Sequence, residues 1–167
     1  TDYDIFSQYC YGRVISFAIQ QGVTVSIRVL NEPSSFRVVF RDTDGSFSRV
    51  GNIDLLNNIR VKAVMKRFSF GSRLEIACQA SIPDEMGVGS YASLTVALIK
   101  AFLKFLDKNW EKAVIAEEAY RIESEILKQP GGRQDQYAAA FGGFNYYEFF
   151  DGGIKRTVRR SPIRLNK

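Results

Sequence analysis

The stretch from Ala92 to Leu106 is apolar almost all round. Lys100, Lys104 and, just beyond it, Lys108 draw only a thin polar stripe along it. A helix hydrophobic on nearly every side must be enclosed by other elements. It is too short, and carries too much charge, to cross a bilayer. The rest of the chain therefore has to wrap a central buried helix. Its 167 residues, 46% hydrophobic and 25% charged, suit one domain that buries roughly 70% of its unfolded surface.

The first half reads mostly as strands. Val23–Leu30 alternates Val23, Val25, Ile27 and Val29 with Thr24, Ser26 and Arg28, the period of a half-buried strand. Phe36–Arg41 alternates again and runs into a turn at 42–45. Leu74–Ala80 is a third alternating run, and the spacing of Leu55, Ile59 and Ala63 predicts a helix over Asp54–Phe68. The second half is helical. Glu111–Lys128 is ended by Gln129-Pro130-Gly131-Gly132, and Gln134–Phe141 is stopped by Gly142-Gly143. Phe144–Phe150 and Ile154–Val158 then form a hairpin around Asp151-Gly152-Gly153. Strands and helices without regular β-α-β alternation predict an α+β domain.

Several chemistries are excluded. The chain has no histidine, so Ser-His-Asp and Cys-His catalysis and the usual zinc sites are absent. Cys10 and Cys78 make no disulfide framework, which favours a reduced, cytoplasmic setting. The net charge of +5 is a C-terminal property: residues 153–167 hold Lys155, Arg156, Arg159, Arg160, Arg164 and Lys167 and no acid. Removing those six from the 23 basic residues leaves 17 against 18 acidic ones. This basic segment has no aromatic residue, so it reads as a solvated strand and arm rather than a nucleic-acid surface.

Two places break ordinary structural patterning. Met86-Gly87-Val88-Gly89-Ser90-Tyr91-Ala92 feeds a two-glycine loop straight into the most buried helix. Glycines permit close backbone approach, and a helix start presents unpaired N–H groups, which together can cradle phosphate. The competing reading is a tight strand-to-helix turn with Ser90 as a plain N-cap. The second place is Glu123, which helical spacing puts among Ala119, Tyr120, Ile126 and Leu127. Burying an unpaired carboxylate costs several kcal/mol. A structural ion pair would offset that cost, and a slight rotation of the helix that leaves Glu123 at the rim of the core would avoid it; Mg²⁺ carrying nucleotide phosphates is the alternative.

Asp135 follows, in Gly131-Gly132-Arg133-Gln134-Asp135-Gln136-Tyr137. It suits an N-cap for a helix over 136–141. It equally suits a base that positions a hydroxyl, held ionised by Arg133.

Together these segments resemble the GHMP kinases, in particular those that phosphorylate D-glycero-D-manno-heptose 7-phosphate. Thr1-Asp2-Tyr3, with Gly12, Ile15, Ala18 and Ile19, is similar to the end of the family's sugar-contacting motif. Pro83–Ser93 resembles its phosphate loop, and GGRQDQYAAAFGGFNYY over 131–147 resembles the heptose-kinase signature along its whole length. The resemblance implies an N-terminal GHMP kinase domain like ribosomal protein S5 domain 2. It implies ATP and Mg²⁺, with Gly87, Val88, Gly89, Ser90, Tyr91 and Ala92 on the nucleotide and Glu123 with Ser90 on the metal. Asp135 would be the catalytic base or orienter, and Thr1, Asp2 and Gln134 would hold the sugar. The function implied is phosphorylation of a sugar phosphate at its anomeric hydroxyl.

The loop departs from the family's Gly-Leu-Gly-Ser-Ser-Ala, since Tyr91 stands at the second serine and Asp84-Glu85-Met86 precedes the glycines. Tyr91 supports a rival reading, a degenerate homologue that senses sugar or nucleotide. Set beside the family, residues 1–167 read as one ATP-binding half, truncated at both ends. Such a half alone would be inactive, and its exposed edges would invite self-association.

Overall fold

The computed structural model describes residues 12–31, 37–41, 47–50, 53, 56, 58–69, 73–81, 87–150 and 153–158. Thr1, Asp2, Cys10, Pro83 to Met86 and the arm beyond 158 lie outside them. Among the described residues there are two sheets. Strands β1 (Gly12–Phe17), β6 (Phe144–Phe150) and β7 (Gly153–Val158) form one, in the order β1-β6-β7. Strands β2 (Val23–Val29), β3 (Arg37–Arg41), β4 (Phe47–Val50) and β5 (Leu74–Ala80) form the other, in the order β2-β5-β3-β4. All pairings are antiparallel except β3 with β5.

The alternation seen in β5 is used as expected. Leu74, Ile76 and Cys78 point into the core, and Ile27 and Val25 of β2 stand opposite Ile76 and Cys78. The 144–158 hairpin also forms, with Tyr147 opposite Arg156. Tyr147 and Phe149, on the inward face of β6, are buried completely or nearly so.

Helices α1 (Ile59–Arg67), α2 (Ser90–Phe105), α3 (Lys112–Arg121) and α4 (Gln134–Phe141) join the two sheets. Helix α2 is the expected centre, packing on β2 and on the other three helices. Leu98, Ile99 and Phe102 are fully buried, each stabilising by about 1.5–3 kcal/mol relative to exposure. It ends without glycine: Asp107 takes φ 53°, and Lys108 N–H donates to Leu103 C=O at 2.8 Å, closing a Schellman turn. Lys100, from the polar stripe, donates to Ala140 C=O at 3.0 Å and so caps the end of α4.

Three local expectations are corrected. Helix α1 starts at Ile59 rather than Asp54, because Asn58 caps it, its side chain accepting from Val61 N–H at 3.1 Å. The helix expected over 111–128 is α only to Arg121 and continues as a π turn over Ile122–Ile126. There Leu127 N–H reaches back five residues to Ile122 C=O at 2.9 Å. The extra residue rotates the face, so Ile122 is buried while Ile126 is left 48% exposed. Asp135 lies inside the first turn of α4, and the N-cap is Arg133.

Candidate active site

The loop before α2 turns on Gly87 and Gly89, at φ +64° and +72°. A side chain at either would be strained. Gly89, not Ser90, is the N-cap, and no side chain caps this end. Ser93 N–H is the first to bond within the helix, to Gly89 C=O at 2.9 Å. The N–H groups of Ser90, Tyr91 and Ala92 therefore have no intrahelical acceptor, and they carry the positive end of the helix dipole.

Glu123 faces this helix start from the π turn. It is half-buried, and both its oxygens are held by neutral donors. Thr95 Oγ donates to Oε1 at 2.5 Å and Gln136 Nε2 to Oε2 at 2.8 Å. Thr95 is fully buried and sits one helical turn beyond Tyr91. The reading of Glu123 as one half of a structural ion pair is not what is seen: Thr95 and Gln136 hold it, and no salt bridge to it occurs among the described residues. Gln136 is 5% exposed, and its Oε1 has no partner among the described residues.

Asp135 presses against the loop. A Cβ built on Gly89 would lie 3.4 Å from the Asp135 carboxyl carbon. Two cavities meet at this contact. One, of about 440 Å³, is lined by Gly87, Tyr91, Glu123, Gln134 and Gln136. The other, of about 510 Å³, is lined by Val23, Val88, Ser93, Val96 and Lys100. Gly89, Ser90 and Asp135 line both. Arg133 turns toward α3, with Nε 3.4 Å from a Glu117 oxygen and its guanidinium over the Tyr120 ring.

Of the candidate residues, the structure thus gathers Gly87, Gly89, Ser90, Tyr91, Glu123, Gln134 and Asp135 around one cleft, while Thr1 and Asp2 fall outside the described residues. Sequence reading missed Thr95, Gln136 and Arg60, which also line or support it. Polar residues at helical spacing on α2 and α4 read as solvated positions until the two helices are packed together.

The profile of the GHMP kinases N terminal domain matches residues 58–143, from the start of α1 to the turn after α4. The chain belongs to the GHMP kinases. It is 36% identical over 115 residues to the D-glycero-alpha-D-manno-heptose 7-phosphate kinase of Campylobacter jejuni, covering 69% of this chain and 33% of that protein. It is 26% identical over 172 residues to the L-fucokinase/L-fucose-1-P guanylyltransferase of Bacteroides fragilis, covering 86% of this chain and 18% of that protein. The solved D-glycero-D-manno-heptose 1-phosphate kinase from Bacteroides thetaiotaomicron superposes with a TM-score of 0.79 at 25% identity, over 95% of this chain and 55% of that one. The chain thus spans a third or less of the length of these curated relatives. The α+β fold is that of a GHMP kinase N-terminal domain, and the matched region contains the glycine loop, Glu123 and Asp135. No helix among the described residues is long and apolar enough to cross a membrane.

The site's chemistry fits a nucleotide and a hard cation. Free N–H donors at a helix start suit phosphate oxygens. Glu123 and the Ser90 hydroxyl offer oxygen atoms, the donor type that Mg²⁺ prefers. The described residues contain no cluster of three acidic, His or Cys side chains. A cation here would therefore share its coordination with phosphate and water, which is the usual habit of Mg²⁺.

Proposed function

We propose that this GHMP kinase domain binds ATP with Mg²⁺. The protein that carries it phosphorylates a sugar phosphate such as D-glycero-D-manno-heptose 7-phosphate at the anomeric hydroxyl. The observation that carries the reading is Asp135 standing against Gly89 at the wall shared by two cavities, with Glu123 facing the same helix start. Phosphoryl transfer needs a donor and an acceptor to meet in line, and it asks the protein mainly for position and charge neutralisation. A site without histidine can supply both.

The roles rest on the family resemblance, and the geometry of the cleft supports them. The N–H groups of Ser90, Tyr91 and Ala92 receive the phosphates, and Gly87, Val88 and Gly89 let the chain approach them closely. Asp135 takes the proton of the sugar hydroxyl as its oxygen bonds to the γ-phosphorus and the bond to the departing ADP oxygen breaks. Glu123 and Ser90 would hold Mg²⁺, and Thr95 and Gln136 hold the Glu123 carboxylate in place. When bound, Mg²⁺ neutralises phosphate charge. Gln134 stands beside Asp135 for the sugar, and Thr1 and Asp2 join it on the strength of the family resemblance. The names of the relatives support a sugar as acceptor.

The test is ADP release by the intact protein offered heptose 7-phosphate, fucose, mannose and mevalonate, with the product located by ³¹P NMR. Turnover with the heptose phosphate and a new anomeric phosphate is expected. ATP binding without turnover on any acceptor would instead favour the sensor reading, for which Tyr91 is the support.

A further inference from the structure

We infer that Arg60 is a contact for the charged end of the nucleotide, entering the cleft beneath the Tyr91 ring. This rests on the reading of the cleft as a nucleotide site. Arg60 is the second residue of α1 and lines the cleft with Gly87, Tyr91, Glu123 and Asp135. It is 8% exposed, and no other charged residue is as buried among those described.

A guanidinium carries five N–H donors and keeps its charge at any working pH. The partners of Arg60 do not match that demand. Its Nη2 donates to the neutral Gln129 Oε1, and its Cζ lies 3.9 Å from the centre of the Tyr91 ring. Its buried Nε has no acceptor, and it forms no ion pair among the described residues. Several other arginines are answered by carboxylates. Arg28 and Arg37 meet Glu75, Arg67 and Arg121 meet Glu118, and Arg133 meets Glu117. Arg156 and Lys100 also lack a carboxylate, but they are less buried and have oxygen acceptors; among the described residues the most buried cation is without a counter-ion.

One amide oxygen and a ring face offset only part of the cost of taking that charge out of water. An anion in the cleft completes the set. The uncapped start of α2 opens into the same space, so the anion that fits has several oxygens, as a polyphosphate does. Tyr91, in the first turn of α2, then has a use. Its ring shields the guanidinium from water and fixes its plane.

Calorimetry of ATP and of AMP on the intact protein tests this with Arg60→Met and Arg60→Lys, thermal melting serving as the fold control. Arg60→Met should weaken ATP roughly tenfold or more and AMP less than about twofold, with Arg60→Lys between. Equal losses for ATP and AMP, or none, would overturn the inference and leave Arg60 a structural clamp. A second readout needs no substitution: the Arg60 Nε–H signal in ¹⁵N spectra of the wild type should shift with inorganic tripolyphosphate and not with adenosine. An unmoved signal overturns the inference alone. A wild type that binds neither ATP nor tripolyphosphate ends the nucleotide reading and this inference with it.

Discussion

Gly89 faces Asp135 with no more than van der Waals room for a side chain between them: a Cβ on the first would stand 3.4 Å from the carboxyl carbon of the second. The loop that starts the central helix and the helix that carries the candidate base are therefore set against each other directly. Gly87, two residues earlier, shares the left-handed backbone but has nothing within 4 Å of its Cβ position.

That difference separates two effects. Gly87→Ala and Gly89→Ala should each lose about 1 kcal/mol in urea unfolding, from backbone strain alone. Both lie on the nucleotide loop and should weaken ATP binding; only Gly89→Ala should also lower turnover at saturating ATP, because its methyl would lie on Asp135. A fully stable Gly89→Ala would contradict the left-handed loop.

Thr95 and Glu123 should prove coupled. Thr95→Val keeps the shape of a buried side chain and removes the hydroxyl that donates to Glu123 at 2.5 Å. A double-mutant cycle with Glu123→Ala, read by chemical unfolding, should give a coupling of about 1 kcal/mol. Additive losses would mean that the bond does not hold the carboxylate.

Glu118 ties α3 to the end of α1, accepting from Arg67 Nε at 2.5 Å and from Arg121 Nη2 at 2.9 Å. Burial alone would raise its pKa, but the hydrogen bonds and charges of Arg121 and Arg67 win, and the net shift is downward from 4.5. A carboxyl depressed in the folded state adds stability above its unfolded pKa and loses it as pH falls through the folded value. Stability should therefore decline below about pH 4.5, and Glu118→Gln should flatten that decline while lowering stability at pH 7. An unchanged acid profile would show the cluster to be without consequence.

Cys78 should be inert. Burial pushes its thiol up to about 12, so it carries almost no thiolate at pH 8. In a Cys10→Ser background, a thiol reagent should label it only after unfolding. Rapid labelling of the folded protein would mean that β5 opens readily.

What was legible in the sequence follows from where local pattern and tertiary packing agree. Strand β5 alternates because one of its faces is core, and α2 is apolar all round because the whole fold encloses it. The two glycines were readable because glycine is the residue that takes that backbone most readily. The π turn was not, since α-helical spacing assumes the rotation that the extra residue changes; Glu123 was found, but Ile126 was wrongly placed beside it. Strand β1 escaped because Val14, Ile15 and Phe17 blur its alternation, and its partner β6 lies far along the chain. Arg60 gave no local signal. A cation in the first turn of a helix reads as solvated, and only the packing of α1 against the α2 loop buries it.

Titration of ATP into the intact protein, with and without Mg²⁺ and with Glu123→Gln beside the wild type, decides whether the cleft at the start of α2 holds a metal–nucleotide complex. Binding that needs the metal, and that Glu123→Gln weakens about tenfold or more, is the expected result. ATP affinity indifferent to both metal and substitution would contradict it.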